Sequence, residues 1–249
     1  MGTILVTGAT GTLGRPTVAR LRAAGHDVRA LSRKCGPGLV TGDLLTGEGI
    51  REAVTGAEVV LHLATGRGRN DITLTKTLLD AARDAGTAHL VLVSIVGIEQ
   101  IPLGYYQDKV EIERLVRESS LPHTMLRATQ FHDLVDEVFT AQRYLPVVLA
   151  PSVVLQPIAA DEVAGRLVEI AEAEPAGRLP DIGGPQQRAL PELARAWRRA
   201  KRSRRPIVTV RLPGRTFAAF AAGHPLVPGP AYGVRSFEDF LADRYVVTV

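Results

Sequence analysis

Several things are scarce or missing in this 249-residue chain, and each absence removes a class of protein. There is a single cysteine, Cys35, so no internal disulfide can form and packing must hold the fold. No stretch reaches the ~20 consecutive apolar residues that a bilayer-spanning helix needs. The opening Met1-Gly2-Thr3 runs directly into a strand-like segment, without the basic region and long apolar core of a secretory signal. A soluble cytoplasmic protein with no membrane partner is the expectation. The six histidines and the cysteine show no metal-ligand spacing, so no metal site is expected. No internal repeat is visible, nor any linker rich enough to set off an independent domain.

What is present is enough apolar material for a sizeable core, with 45% hydrophobic residues in a length suited to one domain. The formal charge of +4 comes mainly from arginine, with a cluster at Arg195, Arg198, Arg199, Lys201, Arg202, Arg204 and Arg205. Such a cluster can meet nucleic acid or an acidic partner. Here it crowds the end of a predicted helix, where cations suit the macrodipole and lie in water. A small molecule, rather than nucleic acid, is therefore the expected partner, with monomer and homodimer both open.

Short apolar runs alternate with helical patterns through the first two thirds of the chain. Strands are predicted at 3–7, 27–32, 38–43, 58–64, 89–94 and 123–128. Helices are predicted at 14–24, 49–54, 71–85, 105–118 and 130–141. Several strands are almost continuously apolar, as a parallel sheet covered by helices on both faces demands. The fold class is α/β, a Rossmann-type doubly wound parallel sheet, which binds ligands beyond the carboxyl ends of its strands. After about residue 150 the rhythm loosens: helices at 160–173 and 191–201, a short strand near 178–182, the run PIVTVRLP, the apolar helix FAAFAAG, and a closing helix at 237–244 with Ser236 as N-cap. The whole of 1–249 reads as one nucleotide-binding domain, with 151–249 forming most of a small C-terminal substrate lobe.

The stretch ILVTGATGTLG, residues 4–14, is the first chemical signal. Gly8 permits a tight turn after the strand, Gly11 lets backbone approach a pyrophosphate, and Gly14 lets the helix lie close to the strand. The free N–H groups at the helix start then face phosphate. Where an NAD enzyme usually offers an acid after the second strand, this chain has Ser32, Arg33 and Lys34, a hydroxyl and two cations suited to a 2′-phosphate. NADP(H) is thus favoured over NAD(H). Asp43 could accept a hydrogen bond from adenine with Leu44 against the ring, or could equally be an N-cap. Ala64 and Thr65 would lie beside the central part of the cofactor, while His62 reads as a core histidine. The arginine-bearing loop 66–70 is expected in solvent.

In YYQDKVEIERLV, Tyr105 and Lys109 stand four residues apart, on one helix face. A phenol acting as acid or base near neutral pH needs help, and an adjacent ammonium favours phenolate. Ser94, ending the fifth strand, could polarise a carbonyl while Tyr105 donates the proton. The competing reading makes Tyr105 a helix cap and pairs Lys109 with a carboxylate such as Glu113.

The segments TGATGTLG, LSRK, GDL, LHLAT, LVLVSIVG, YYQDKVEIE, LPHTMLRATQFHDL, PIAADEVA and YGVRSFEDFLA together resemble the short-chain dehydrogenase/reductase superfamily, nearest its atypical NmrA-like and quinone-oxidoreductase-like branch. The resemblance covers nearly the whole chain. It implies NADP(H) held by Gly8, Thr10, Gly11, Thr12, Leu13 and Gly14 at the phosphates, by Arg33 and Lys34 at the 2′-phosphate, and by Asp43 and Leu44 at adenine. It gives Ala64 and Thr65 the central contacts, Tyr105 and Lys109 the catalytic pair, and Thr129, Gln130 and Phe131 the flank of the nicotinamide. Lys109 would also hold the nicotinamide ribose. Ser94 lies closer to Tyr105 than in members with a full serine-tyrosine-lysine trio.

Two functions follow. One is NADPH-dependent reduction of a carbonyl, quinone or imine in a small apolar or aromatic substrate, with Phe131, His132 and Phe139 as substrate contacts and Val138, Trp197, Phe217 and Phe220 as further apolar candidates. For the last three, plain core packing is the favoured alternative, and His132 could equally be a surface histidine at a helix start. The other function is an NADP(H)-binding, redox-sensing regulator without turnover.

Overall fold

The computed structural model describes residues 2–66, 68 and 70–245. In chain order its elements are β1 (Thr3–Thr7), α1 (Gly14–Ala23), β2 (Asp27–Ser32), β3 (Leu39–Thr41), α2 (Ile50–Val54), β4 (Val59–His62), α3 (Asn70–Asp84), β5 (His89–Ile95), α4 (Gly104–Glu118) and β6 (His123–Ala128). They continue with α5 (His132–Thr140), β7 (Val148–Pro151), β8 (Val154–Leu155), α6 (Ala160–Ala171), β9 (Gly177–Arg178), β10 (Arg188–Ala189), α7 (Leu190–Ala200), β11 (Ile207–Val210), α8 (Arg215–Ala221) and α9 (Phe237–Tyr245). Two compact units divide the chain: Met1–Ser94, Gly104–Arg127 and Val163–Pro180 form the first, and Ile95–Leu103, Ala128–Glu162 and Asp181–Val249 the second.

The apolar, β-branched strands of the first unit build the parallel sheet, in the order β3-β2-β1-β4-β5-β6-β9. Ile4 stands opposite Val28 on one side and Val59 on the other, so β1 is central and buried on both faces. The strand order reverses between β1 and β4, which puts the ligand crevice of a doubly wound sheet at their carboxyl ends. Leu5, Leu31, Val60, Leu78, Leu92 and Ile112 anchor the core on one face. On α1 the buried Gly14, Thr17, Val18 and Leu21 recur with the helical period, as an amphipathic helix against a sheet requires. No described helix is long and apolar enough to cross a membrane.

The strand and helix order matches the expected alternation, and the differences at the ends have local causes. The strand expected to reach residue 64 stops at His62, because the N–H groups of Leu63 and Ala64 donate to Thr7 Oγ1 at 3.1 and 3.2 Å instead of to a neighbouring strand. The strand expected to reach 43 stops at Thr41, because Asp43 turns: its N–H donates to Glu48 O at 2.9 Å and its Oδ1 accepts Leu45 N–H at 2.8 Å. The expected strand near 178–182 is the short β9, with Ile182 making a separate bridge to Ala128.

In the second unit β7 pairs in parallel with β11 and β8 antiparallel with β10. Its core gathers Phe139, Trp197, Leu193, Phe237 and Leu241, with Phe217 and Phe220 partly buried against it. Helix α7 buries Leu190, Leu193, Ala194 and Trp197 and leaves Arg195 and Arg199 in water, as expected for the basic cluster. Ser236 caps α9 as expected, in a reciprocal box: Asp239 N–H donates to Ser236 Oγ at 3.1 Å and Ser236 N–H donates to Asp239 Oδ2 at 3.1 Å.

Candidate active site

The glycine loop leaves β1 at the carboxyl edge of the sheet. Gly8 has φ +65°, and a Cβ there would lie 2.6 Å from Leu63 O and 2.7 Å from Ala64 N, so no larger residue fits beside the end of β4. A Cβ on Gly14 would lie 2.1 Å from Gly8 O, which is the close helix-to-strand approach that the spacing predicts. Gly11 closes the turn by donating its N–H to Gly8 O at 2.9 Å. Thr10, Gly11 and Thr12 are exposed, while Leu13 and Gly14 are buried. Helix α1 starts at Leu13 with no side-chain cap and no acid in its first turn. A start of that kind suits an anion by both hydrogen bonding and dipole.

After β2, Arg33 and Lys34 are exposed and have no ionic partner among the described residues, while Ser32 Oγ accepts Lys34 N–H at 3.1 Å. Two unneutralised cations on a short turn are what a phosphate monoester would find there. Asp43 spends one carboxylate oxygen on its own turn, and Leu44 is buried in the core. These features fit a nicotinamide dinucleotide.

Beneath the loop runs a relay whose polarity can be assigned. Thr7 Oγ1 accepts two backbone N–H groups and so donates its own hydrogen to His62 Nδ1 at 3.0 Å. The ring then carries its hydrogen on Nε2 and donates to Thr75 Oγ1 at 3.0 Å, which donates to Asp71 O at 2.8 Å. His62 is a core histidine as read from sequence. Burial, with the nearby Lys109 ammonium adding to it, lowers its pKa to about 3, so the neutral ring that the relay needs is the one present.

Tyr105 and Lys109 share one face of α4, the ammonium 5.5 Å from the phenol ring centroid. The phenol oxygen lies 3.3 Å from Thr65 Oγ1, and Lys109 Nζ lies 3.7 Å from Asp71 Oδ2. Lys109 is thus not paired with Glu113. That carboxylate is buried and takes a bidentate pair of bonds from Arg127, at 2.7 and 2.6 Å. Ser94 stands near the end of β5 with its Oγ buried and without a hydrogen-bond partner among the described residues. Asp71, at the start of α3, was invisible to motif reading; its only sequence signal is an acid in the first turn of a predicted helix. Within the loop 66–70, Arg67 and Arg69 lie outside the described residues.

The remaining candidates belong to the second unit. The helix expected from residue 130 starts at His132, because Gln130 O accepts Ile158 N–H at 2.9 Å and Ile158 O accepts His132 N–H at 3.0 Å, which holds Phe131 extended. Thr129 Oγ1 donates to Gln156 O, and both side-chain amide atoms of Gln130 are buried without a partner among the described residues. His132 is no surface histidine. Its ring packs against both Phe237 and Phe240, at centroid distances of 5.6 and 5.4 Å, and its Nε2 donates to Arg235 O at 3.1 Å. Burial lowers its pKa. Phe139 is wholly buried against Trp197, at 5.7 Å between ring centroids, and Val138 is exposed. Phe217 helps line a cavity of about 370 Å³ with Pro151, Val153, Leu212 and Ala218.

Known proteins share this fold. Among curated relatives, a chloroplastic divinyl chlorophyllide a 8-vinyl-reductase of Oryza sativa subsp. indica is 30% identical over 76% of this chain and 56% of its own length. The chain thus spans little more than half of that relative. An NADPH-dependent quinone oxidoreductase from Escherichia coli, solved with NADPH, superposes with a TM-score of 0.82 over 97% of this chain and 99% of its own, at 15% identity. NmrA, a negative transcriptional regulator, superposes at 0.72 over 98% and 96% of the two chains, at 20% identity. At those identities the solved structures establish a shared Rossmann-like fold. The family model described as NAD(P)H-binding matches residues 8–174, from the first loop glycine to the end of the stretch after α6. This chain belongs to the NAD(P)H-binding family.

Proposed function

We propose that the protein is an NADPH-dependent oxidoreductase that reduces a carbonyl, quinone or imine group of a small apolar or aromatic substrate. The observation that carries this reading is the phenol of Tyr105 held beside Thr65 with the Lys109 ammonium against its ring. A protein that only sensed a nucleotide would need no such pair. The rice vinyl-reductase and the bacterial quinone oxidoreductase support reduction as the reaction class.

In this reading the uncapped start of α1 and the loop from Gly8 to Gly14 hold the diphosphate, Ser32, Arg33 and Lys34 the 2′-phosphate, Leu44 and Asp43 the adenine end, and Ala64, Thr65 and Lys109 the ribose end. When bound, the cofactor would supply the hydride for the substrate carbon. Tyr105 delivers a proton to the substrate oxygen or nitrogen, and the unpartnered Ser94 hydroxyl is free to donate a hydrogen bond to the same atom.

The test is NADPH oxidation against a panel of quinones, aromatic ketones and imines, with NADH in parallel. Turnover is expected with NADPH on at least one compound. Tyr105→Phe should keep NADPH affinity and lose about 10²- to 10⁴-fold in kcat, the usual worth of a general acid. Silence on every compound from a protein that binds NADPH tightly would favour the regulator.

A further inference from the structure

Asp71 is 1% exposed and sits where the site's groups converge. Its Oδ2 accepts the Thr65 hydroxyl at 2.7 Å and lies 3.7 Å from Lys109 Nζ, and its Oδ1 accepts the backbone N–H of Gly66 in a short hydrogen bond. Its carbonyl closes the relay from His62 through Thr75. A carboxylate can only accept, so the Thr65 hydrogen is committed to Asp71. A lone pair of Thr65 then faces Tyr105, and the phenol donates to it across 3.3 Å. A buried carboxylate beside a buried ammonium is also costly to separate, so neither charge drifts.

We propose that Asp71 is the positioning residue of this site: it fixes the Lys109 ammonium and the Thr65 hydroxyl, and through them the phenol of Tyr105 and the ribose of the nicotinamide end. It takes no part in recognising the 2′-phosphate. This rests on the cofactor reading above but not on any particular substrate.

The experiment is calorimetric titration of the full chain with NADPH and with 2′,5′-ADP, which carries the 2′-phosphate and adenine but no nicotinamide end. Asp71→Asn is expected to weaken NADPH roughly tenfold and to leave 2′,5′-ADP within about twofold, given typical coupling between neighbouring charged groups. Lys109→Met should weaken NADPH comparably, and the double variant should lose less than the sum of the two single losses, because the two changes share the Lys109 ammonium. Losses that simply add would show that Asp71 does not work through Lys109 and would overturn the proposal. So would an unchanged NADPH affinity, or an equal loss of both ligands. If Asp71→Asn alone does not fold, the double variant decides: it should melt higher than Lys109→Met, which strands a buried carboxylate, and a lower melting temperature counts against the pairing. Wild type that binds neither ligand would sink the cofactor reading itself; wild type that binds both, with Asp71→Asn indistinguishable from it, would sink only the role of Asp71.

Discussion

Asp71 in the first unit and Asp136 in the second are both buried carboxylates beside a cation, and their partners give them different work. Asp136 accepts Trp197 Nε1–H at 2.8 Å and the Tyr245 hydroxyl at 2.6 Å, and lies 3.0 Å from Arg244 Nε. Those bonds tie α5, α7 and α9 together. Asp71 instead holds Thr65 and Lys109, two residues whose types and positions point to a cofactor. A buried charge marks a functional site through the groups it restrains, and burial by itself does not distinguish the two cases.

Three changes break or sharpen this contrast. The largest effect is expected from Gly14→Ala, whose Cβ would meet Gly8 O at 2.1 Å and Ala9 Cα at 2.8 Å. Backbone must move, so about 3 kcal/mol of stability should go, read by chemical denaturation, together with NADPH binding. Asp136→Ala comes next, leaving the indole N–H of Trp197 buried and unsatisfied, at about 2 kcal/mol. That corresponds to melting some ~4–8 °C lower, while 2′,5′-ADP should still bind. Loss of that binding would mean that the second unit's carboxylate also serves the site.

The third effect is graded with pH and is the smallest of the three per pH unit. His62 titrates at about 3 in the folded protein against an ordinary 6.5, so the unfolded chain binds more protons between those values. Stability from this group is complete above pH 6.5 and is lost as pH falls toward about 3, with a slope of at most ~1.4 kcal/mol per pH unit. His132 in the second unit shifts in the same direction, so His62→Gln should flatten the unfolding profile by one proton's share and leave a residual slope. An unaltered profile would place the titrating group elsewhere.

Much of the fold was legible because its signals are local. Continuous apolar runs marked β1, β4 and β5, the glycine spacing marked the loop before α1, and Ser236 marked the start of α9. Strand ends were read too long where a turn or a side chain took over the backbone hydrogen bonds, as Thr7 does for Leu63 and Ala64. His132 was left open between substrate contact and surface; its packing against Phe237 and Phe240 depends on residues more than a hundred positions away.

By itself the sequence determined the alternation of strand and helix, the glycine-rich loop before α1, the two cations after β2, and the Tyr105 and Lys109 pair on one helical face, since each is written in neighbouring residues. Which carboxylate meets Lys109 was decided only in three dimensions. Glu113 is the natural partner one helical turn away, but Arg127 on β6 claims both of its oxygens in a buried fork, and the packing of α3 on α4 brings Asp71 to the ammonium instead. A local pair on an exposed helix face is worth only a few tenths of a kcal/mol, roughly, whereas a buried bidentate pair is strongly held, so the tertiary arrangement wins.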